Sequence, residues 1–198
     1  MQGLFPLFLR LEGRRCLVVG AGEIGEPKIA SLLETKGIVE LVAPHGTRKV
    51  EDWARDGKVQ WHRREFNDSD LDGCLLVIVA TSSRHLQERI HRLARQRGVL
   101  CNVVDVPELC DFYYPAVVRR GSLQIAISTG GESPALAQRL RKEMEDQFGP
   151  EYEAWLAELG EARQRIRAKV RDGAEQKAKL HELATEKSFQ EFLKRRKK

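Results

Sequence analysis

At 198 residues, 41% of them hydrophobic, the chain is long enough to bury a packed core as one sizeable domain or two small ones. No apolar run reaches the roughly 18 residues that a membrane-spanning helix needs, and the start MQGLFPLFLRLEGRR has no basic segment ahead of its apolar one, so a cytoplasmic protein with no membrane partner is expected. The net charge of +5 lies mainly toward the C-terminus, where residues 151–198 carry 13 Lys/Arg against 9 Asp/Glu; no aromatic-interleaved basic patch or helix-turn-helix pattern accompanies it, so no nucleic-acid partner is expected and KRRKK (194–198) reads as a frayed end.

Short β-branched runs alternate with helical patterns from Arg15 onward. RCLVVG (15–20) reads as a buried strand, and EPKIASLLETKG (26–37) as a helix that shows Ile29, Leu32 and Leu33 on one face and stops at Gly37. IVELVAP (38–44), the polar helix RKVEDWARDG, the strand-like KVQWHRREF and the strongly apolar CLLVIVATS (74–82) follow. RHLQERIHRLARQRG (84–98) places Leu86, Ile90, Leu93 and Ala94 at helical spacing before the strand VLCNVVD (99–105). This rhythm predicts an α/β domain, a parallel sheet covered by helices on both faces. Cys16, Cys74, Cys101 and Cys110 form no CxxC pair, and three of them lie in or beside strand-like runs, as structural thiols do.

After Pro107 the pattern changes. FYYPAVVRRGSLQIAIST (112–129) reads as two strands joined by a turn at Arg120-Gly121, and Ser133 is placed to cap a helix that begins at Pro134. Beyond Pro150, Trp155, Leu159, Ile166 and Val170 recur at helical spacing in a charged segment. The expected division is residues 1–112, a small α/β region at 113–148, and a helical domain at 149–198.

VVGAGEIGEPK contains Gly20, Gly22 and Gly25 at the spacing G-x-G-x-x-G, behind a strand and ahead of a helix. In that context the first glycine allows a tight turn, the second lets a pyrophosphate approach the backbone, and the third lets helix and strand pack closely. A dinucleotide site is expected; the plainer alternative is a glycine turn in a Rossmann-like domain that binds nothing. The acidic residue expected at the end of the second strand is missing, since that strand runs into Ala43, Pro44 and His45, so residue chemistry alone does not separate NAD from NADP. Pro27 removes a backbone donor and is expected to distort the start of the helix.

Ligands of open parallel sheets sit beyond the carboxyl ends of the strands, where Asp105 follows VLCNVV; a carboxylate there can take a proton from a substrate that loses hydride. Its plainer reading is a turn aspartate before Pro107. The loop STGGES (128–133) leads into a helix N-terminus suited to an anion, with Arg119, Arg120, Arg139, Arg141 and Lys142 nearby in sequence. His45, His62, His85, His91 and His181 show no metal-ligand spacing, and no metal site is expected.

LFPLFLRLEGRRCLVVGAGEIG, DLDGCLLVIVATS, NVVDVPELCDFYYPA and IAISTGGESPALAQRLR, in this order over roughly residues 4–145, resemble the precorrin-2 dehydrogenases of siroheme synthesis, including the N-terminal half of siroheme synthase and related dehydrogenase/ferrochelatases. The resemblance implies a Rossmann-like parallel sheet, a small α/β dimerisation region and a helical C-terminal domain, in a homodimer that oxidises precorrin-2 to sirohydrochlorin with NAD. It implies an NAD site at Gly20, Gly22, Glu23, Ile24 and Gly25 with Pro44 and His45, Asp105 as general base, and a substrate site at Ser128, Thr129, Gly130 and Gly131 with Arg119 and Arg139. Thr129 stands where some members carry a serine reported as phosphorylated. Pro27 replaces the usual Arg, Gly25 a common Ala, and Ser82-Ser83 frequent acidic residues. The methyltransferase part of the fused enzyme has no counterpart up to Lys198, so this chain is not expected to make precorrin-2. Two other readings stay open: added ferrochelatase activity, with Asp105 accepting pyrrole protons, and a dinucleotide-sensing module without turnover. The helical tail also permits handing product to a separate chelatase.

Overall fold

The computed structural model describes residues 3–196, which form two compact units, one through Tyr113 and one from Tyr114 onward. In the first unit the chain runs β1 (Arg15–Ala21), α1 (Gly25–Leu33), β2 (Ile38–Gly46), α2 (Arg48–Arg55), β3 (Gln60–His62), β4 (Cys74–Val79), α3 (Arg84–Gln96) and β5 (Leu100–Val103). The strands form one parallel sheet in the order β3-β2-β1-β4-β5. Such a sheet is covered on both faces, and its central strands are accordingly rich in apolar residues: Leu17, Val18, Leu41, Val42, Val77, Ile78, Val79 and Val103 are fully buried. Ile29 of α1, Val50 of α2 and Ile90 of α3 supply the buried helix faces. Each helix start follows its local chemistry; Thr47 and Ser83 accept hydrogen bonds from the amides of Val50 and Leu86.

The outer edge of β5 is closed by its own continuation. The Cys101 amide donates to Asp111 Oδ2 at 2.9 Å, the Asp111 amide to the Cys101 carbonyl at 2.7 Å, and the buried Asn102 side chain to the Phe112 carbonyl at 2.7 Å. Edge donors and acceptors are thereby covered. Between the neighbouring strands β1 and β2, Arg15 makes a bidentate pair with the nearly buried Glu40, at 2.7 and 2.8 Å. Those charge-assisted bonds hold the Glu40 carboxyl below its usual range.

The second unit contains the antiparallel hairpin β6 (Ala116–Arg120) and β7 (Leu123–Ile127), followed by α4 (Pro134–Gln147), α5 (Glu151–Lys169), α6 (Gly173–Leu183) and α7 (Glu186–Arg196). Ser133 caps α4 by accepting from the Leu136 amide, with Pro134 at the first helical position, as the sequence predicts. Phe148, Tyr152, Trp155, Phe189 and Phe192 pack as an aromatic cluster that ties α7 to the start of α5.

Several boundaries differ from the sequence reading. The third strand keeps only Gln60–His62, because Arg64 turns away to a bidentate pair with Asp70 at 2.6 and 2.9 Å. Helix α1 ends at Leu33, and Lys36 at φ +58°, rather than Gly37, takes the left-handed position after it. The hairpin loop is Gly121-Ser122, one residue later than expected; Gly121 at φ +57° suits the first central position of a type II′ turn. Lys194–Arg196 belong to the last turn of α7 rather than to a frayed end, while Lys197 and Lys198 lie outside the described residues. Among the described residues, no helix is long and apolar enough to cross a membrane.

Candidate dinucleotide and reaction site

Strand order reverses between β1 and β4, whose carboxyl ends lie side by side: the Ala80 amide donates to the Val19 carbonyl at 2.8 Å. The glycine loop leaves the sheet at this switch point. Gly20 sits at φ +103°, and a Cβ there would collide with the Ala80 carbonyl oxygen. Gly25 opens α1 so tightly against the Gly20 carbonyl and the Ala80 methyl group that a Cβ would clash as well. Gly22 differs from both, since a Cβ would meet nothing within 4 Å. Its openness therefore serves no packing need of the protein, and it leaves room for a ligand to reach the backbone.

Ile24 precedes α1 without a side-chain cap and is 56% exposed, as is unusual for a large apolar residue, and Glu23 beside it is exposed too. No side chain claims the first-turn amides, which suits an anion at the positive end of the helix. Pro27 is the third residue of the helix that begins at Gly25; Ile24 before it is already helical and the Glu26 amide donates to the Gly22 carbonyl at 3.0 Å, so the turn runs on through the proline and lacks only the one donor that proline removes.

Pro44 and His45 are exposed at the end of β2, beside the loop. Between the paired positions Val19–Val42 and Ala21–Gly46 the strand β2 carries two more residues than β1, and the resulting bulge keeps Ala43 buried while it exposes Pro44 and His45. Trp61 supports the bulge from β3: its indole N–H donates to the Ala43 carbonyl at 2.9 Å, its ring lies against Gly46, and the Arg63 guanidinium stacks 4.1 Å from the ring centre. Beneath the loop, Glu26 accepts from the Thr47 hydroxyl at 2.7 Å and pairs with Lys49 at 3.2 Å; these contacts lower its acidity range below the usual carboxylate value. The sequence reading missed this clasp, although Glu at the second helical position is a recognisable signal.

Asp105 stands past the end of β5, exposed, at φ +62°. The Val104 amide donates to the Val79 carbonyl at 3.0 Å and the Val106 amide to the Val103 carbonyl at 3.2 Å, which places Asp105 third in a tight turn, where glycine or asparagine is the comfortable occupant. Lys28, the next residue of α1 on the side of Gly25 that faces the sheet, is half-buried and feels the charge of Asp105. Burial pulls its ammonium below the usual lysine range while Asp105 pulls it back up.

In the second unit the 128–131 loop is built by its own hydroxyls. Ser128 Oγ accepts from the Gly130 amide at 3.1 Å, Thr129 Oγ1 accepts from the Ser133 amide at 3.2 Å, and Gly130 and Gly131 take φ of +65° and +88°. Ser128, Gly130 and Gly131 are exposed. The nearby cations divide by role. Arg120 donates to the Phe148 carbonyl at 2.7 Å and the Glu145 carbonyl at 3.1 Å, and Arg141 pairs with Glu145, so both are engaged in holding α4. Arg119 is exposed on β6, and Arg139 is exposed with a partner, Glu143, at 3.3 Å. The cysteines show no reactive setting: burial pushes Cys16 up to about 11 and Cys101 up to about 12.

A parallel sheet in this order, with a glycine turn at its switch point, defines a nucleotide-binding protein of the Rossmann class. The chain belongs to the family described as "Putative NAD(P)-binding", which it matches over residues 7–116, and residues 120–147 match the family "Sirohaem biosynthesis protein central". It is 36% identical to the siroheme synthase of Nitrosococcus oceani over 166 residues, 84% of this chain and 35% of that one. It is 41% identical to the siroheme synthase of Azotobacter vinelandii over 140 residues, 71% of this chain and 30% of that one. The chain thus spans about a third of the length of these curated relatives. Among solved structures, "SirC, precorrin-2 dehydrogenase" matches with a TM-score of 0.78 and 25% identity, covering 92% of this chain and 90% of that one.

Proposed function

We propose that the protein is an NAD-dependent dehydrogenase that oxidises precorrin-2 to sirohydrochlorin. The observation that supports it most is the strained turn that carries Asp105 past the end of β5, in the same sheet whose switch point carries the open Gly22. Backbone strain at an exposed acidic residue has no packing benefit here, and such strain concentrates at functional positions. Gly20, Gly22, Glu23, Ile24 and Gly25 hold the dinucleotide phosphates, with Pro44 and His45 beside its ribose. When bound, oxidised NAD supplies the hydride acceptor. The substrate also loses one proton, which the Asp105 carboxylate accepts, so that hydride and proton together account for the two-electron oxidation.

In the second unit, Ser128, Thr129, Gly130 and Gly131, with Arg119 and Arg139, are proposed to bind the carboxylates of the tetrapyrrole. Arg139 exchanges Glu143 for a substrate carboxylate in this reading. Residues 113–148 form the dimerisation region of a homodimer in the cytoplasm, and the helical residues 149–198 pass product toward a separate chelatase. The test is anaerobic absorbance of precorrin-2 with the protein and NAD, NADP or no dinucleotide, with Asp105→Ala in parallel. Sirohydrochlorin that forms only with a dinucleotide, and is lost in the variant, is the expected result. Dinucleotide binding without any change in precorrin-2 overturns the dehydrogenase reading.

A further inference from the structure

We propose that the adenosine end of the dinucleotide site accepts a 2′-phosphate, held by the Arg48 and Arg63 guanidinium groups, so that the protein takes NADP as well as it takes NAD. The inference deepens the dinucleotide reading above and rests on it. In sheets of this class the ribose next to adenine lies beyond the end of β2, where a carboxylate bonds to the 2′-hydroxyl of NAD and repels the 2′-phosphate of NADP. Here that position carries no carboxylate, since β2 ends in Ala43, Pro44, His45 and Gly46. The acidic side chains next to it are committed. Glu40, further back in β2, is paired with Arg15, and Glu26 accepts from the Thr47 hydroxyl and pairs with Lys49.

Two guanidinium groups flank this gap. The Thr47 amide donates to the Ala21 carbonyl at 3.0 Å, which fastens the start of α2 to the end of β1 at the glycine loop, and Arg48 is the next residue. Arg48 is exposed and, among the described residues, makes no ion pair. Arg63 comes from the neighbouring strand. Val42 pairs with His62, so the residue after β3 stands level with Ala43, where the bulge begins. Its guanidinium lies 4.1 Å from the centre of the Trp61 ring, and that indole is itself bonded to the Ala43 carbonyl at 2.9 Å. A planar guanidinium stacked in this way gives up little rotamer freedom when it binds, and its edge N–H groups can meet phosphate oxygens. The carboxylate that competes for Arg63 is Glu51, 3.5 Å away, and both side chains are exposed. So long and exposed a pair contributes little, and a dianionic phosphate displaces it. His45, exposed on the same bulge, offers an imidazole N–H to the same oxygens.

Isothermal titration calorimetry tests this without any tetrapyrrole, using NAD, NADP and the nicotinamide-free probes 5′-AMP and 2′,5′-ADP. The wild type is expected to bind NADP within about threefold of NAD, or more tightly, and to bind 2′,5′-ADP about tenfold more tightly than 5′-AMP, in competition with NAD. Arg48→Gln and Arg63→Gln are each expected to weaken NADP and 2′,5′-ADP about tenfold while NAD stays within about threefold, and added salt should weaken NADP more than NAD. NAD is the internal reference, so a variant that merely loosens the bulge lowers both dinucleotides together and is told apart from one that has lost a phosphate contact. Wild-type affinity for NADP more than about threefold below that for NAD overturns the proposal and leaves the dehydrogenase reading intact. An NADP-to-NAD affinity ratio unchanged in either variant overturns it too. If neither dinucleotide binds, the dinucleotide reading fails and the proposal falls with it.

Discussion

Replacing Asp105 with glycine should make the protein more stable and inactive at the same time. Asp105 adopts φ +62° as the third residue of its turn, in a region where an L-residue meets its own carbonyl at a cost of roughly 1–2 kcal/mol. Glycine removes that cost but gains freedom in the unfolded chain worth roughly 0.5–1 kcal/mol, which leaves a net gain of about 0.5–1 kcal/mol. For a chain of this length the gain corresponds to a rise in Tm of about 1–4 °C. Asp105→Ala is the matched control, because it removes the carboxylate as glycine does while it keeps the Cβ. Urea unfolding followed by far-UV circular dichroism compares the three proteins, and the dehydrogenase assay runs beside it. If Asp105→Gly is no more stable than Asp105→Ala, the turn is not strained and the argument from strain to function fails.

Two further predictions use the glycine loop and the Arg15–Glu40 pair. Gly22→Ala should leave thermal stability within about 0.5 kcal/mol of the wild type, since the added methyl group meets no protein atom, yet weaken NAD binding about tenfold or more; Gly20→Ala, which drives a methyl group into the Ala80 carbonyl at a positive φ, should lower stability first, and equal melting of the two by calorimetry would contradict this division. Arg15 holds Glu40 below the usual carboxylate range, so the stability that this pair contributes is complete above the ordinary glutamate pKa and is lost as pH falls through the lowered value. Glu40→Gln should therefore flatten the acid side of a stability-against-pH curve, and an unchanged slope below about pH 4.5 would refute the coupling.

What sequence reading reached was local. The unbroken apolar runs at 15–20, 74–82 and 99–105 announce strands buried on both faces, and Ser133-Pro134 announces a helix start, because each signal is carried by neighbours in the chain. The loop glycines were recognisable for the same reason, although only packing distinguishes Gly20 and Gly25, which the protein needs for itself, from Gly22, which it does not. Arg120 looked like an anion-binding cation and proved to be a fastener for the end of α4, because strand β6 happens to deliver its guanidinium to two free carbonyls. Pro27 was expected to distort the start of its helix, and α1 nevertheless runs through it from Gly25 to Leu33.

Trp61 lends the site an optical property. Its indole is clasped on three sides at the β2 bulge, by the Ala43 carbonyl, Gly46 and the Arg63 guanidinium, and Pro44 and His45 of that bulge are the residues proposed to lie beside the dinucleotide ribose. Indole emission depends on the charge and hydrogen bonding immediately around the ring, so any ligand that reorders the bulge changes the signal of a native fluorophore. The chain has two other tryptophans, Trp53 on α2 and Trp155 on α5, and replacing both with phenylalanine leaves Trp61 as a single-wavelength probe. Dinucleotide occupancy then becomes readable in real time from the protein alone, without a dye and without the oxygen-sensitive substrate in the cuvette.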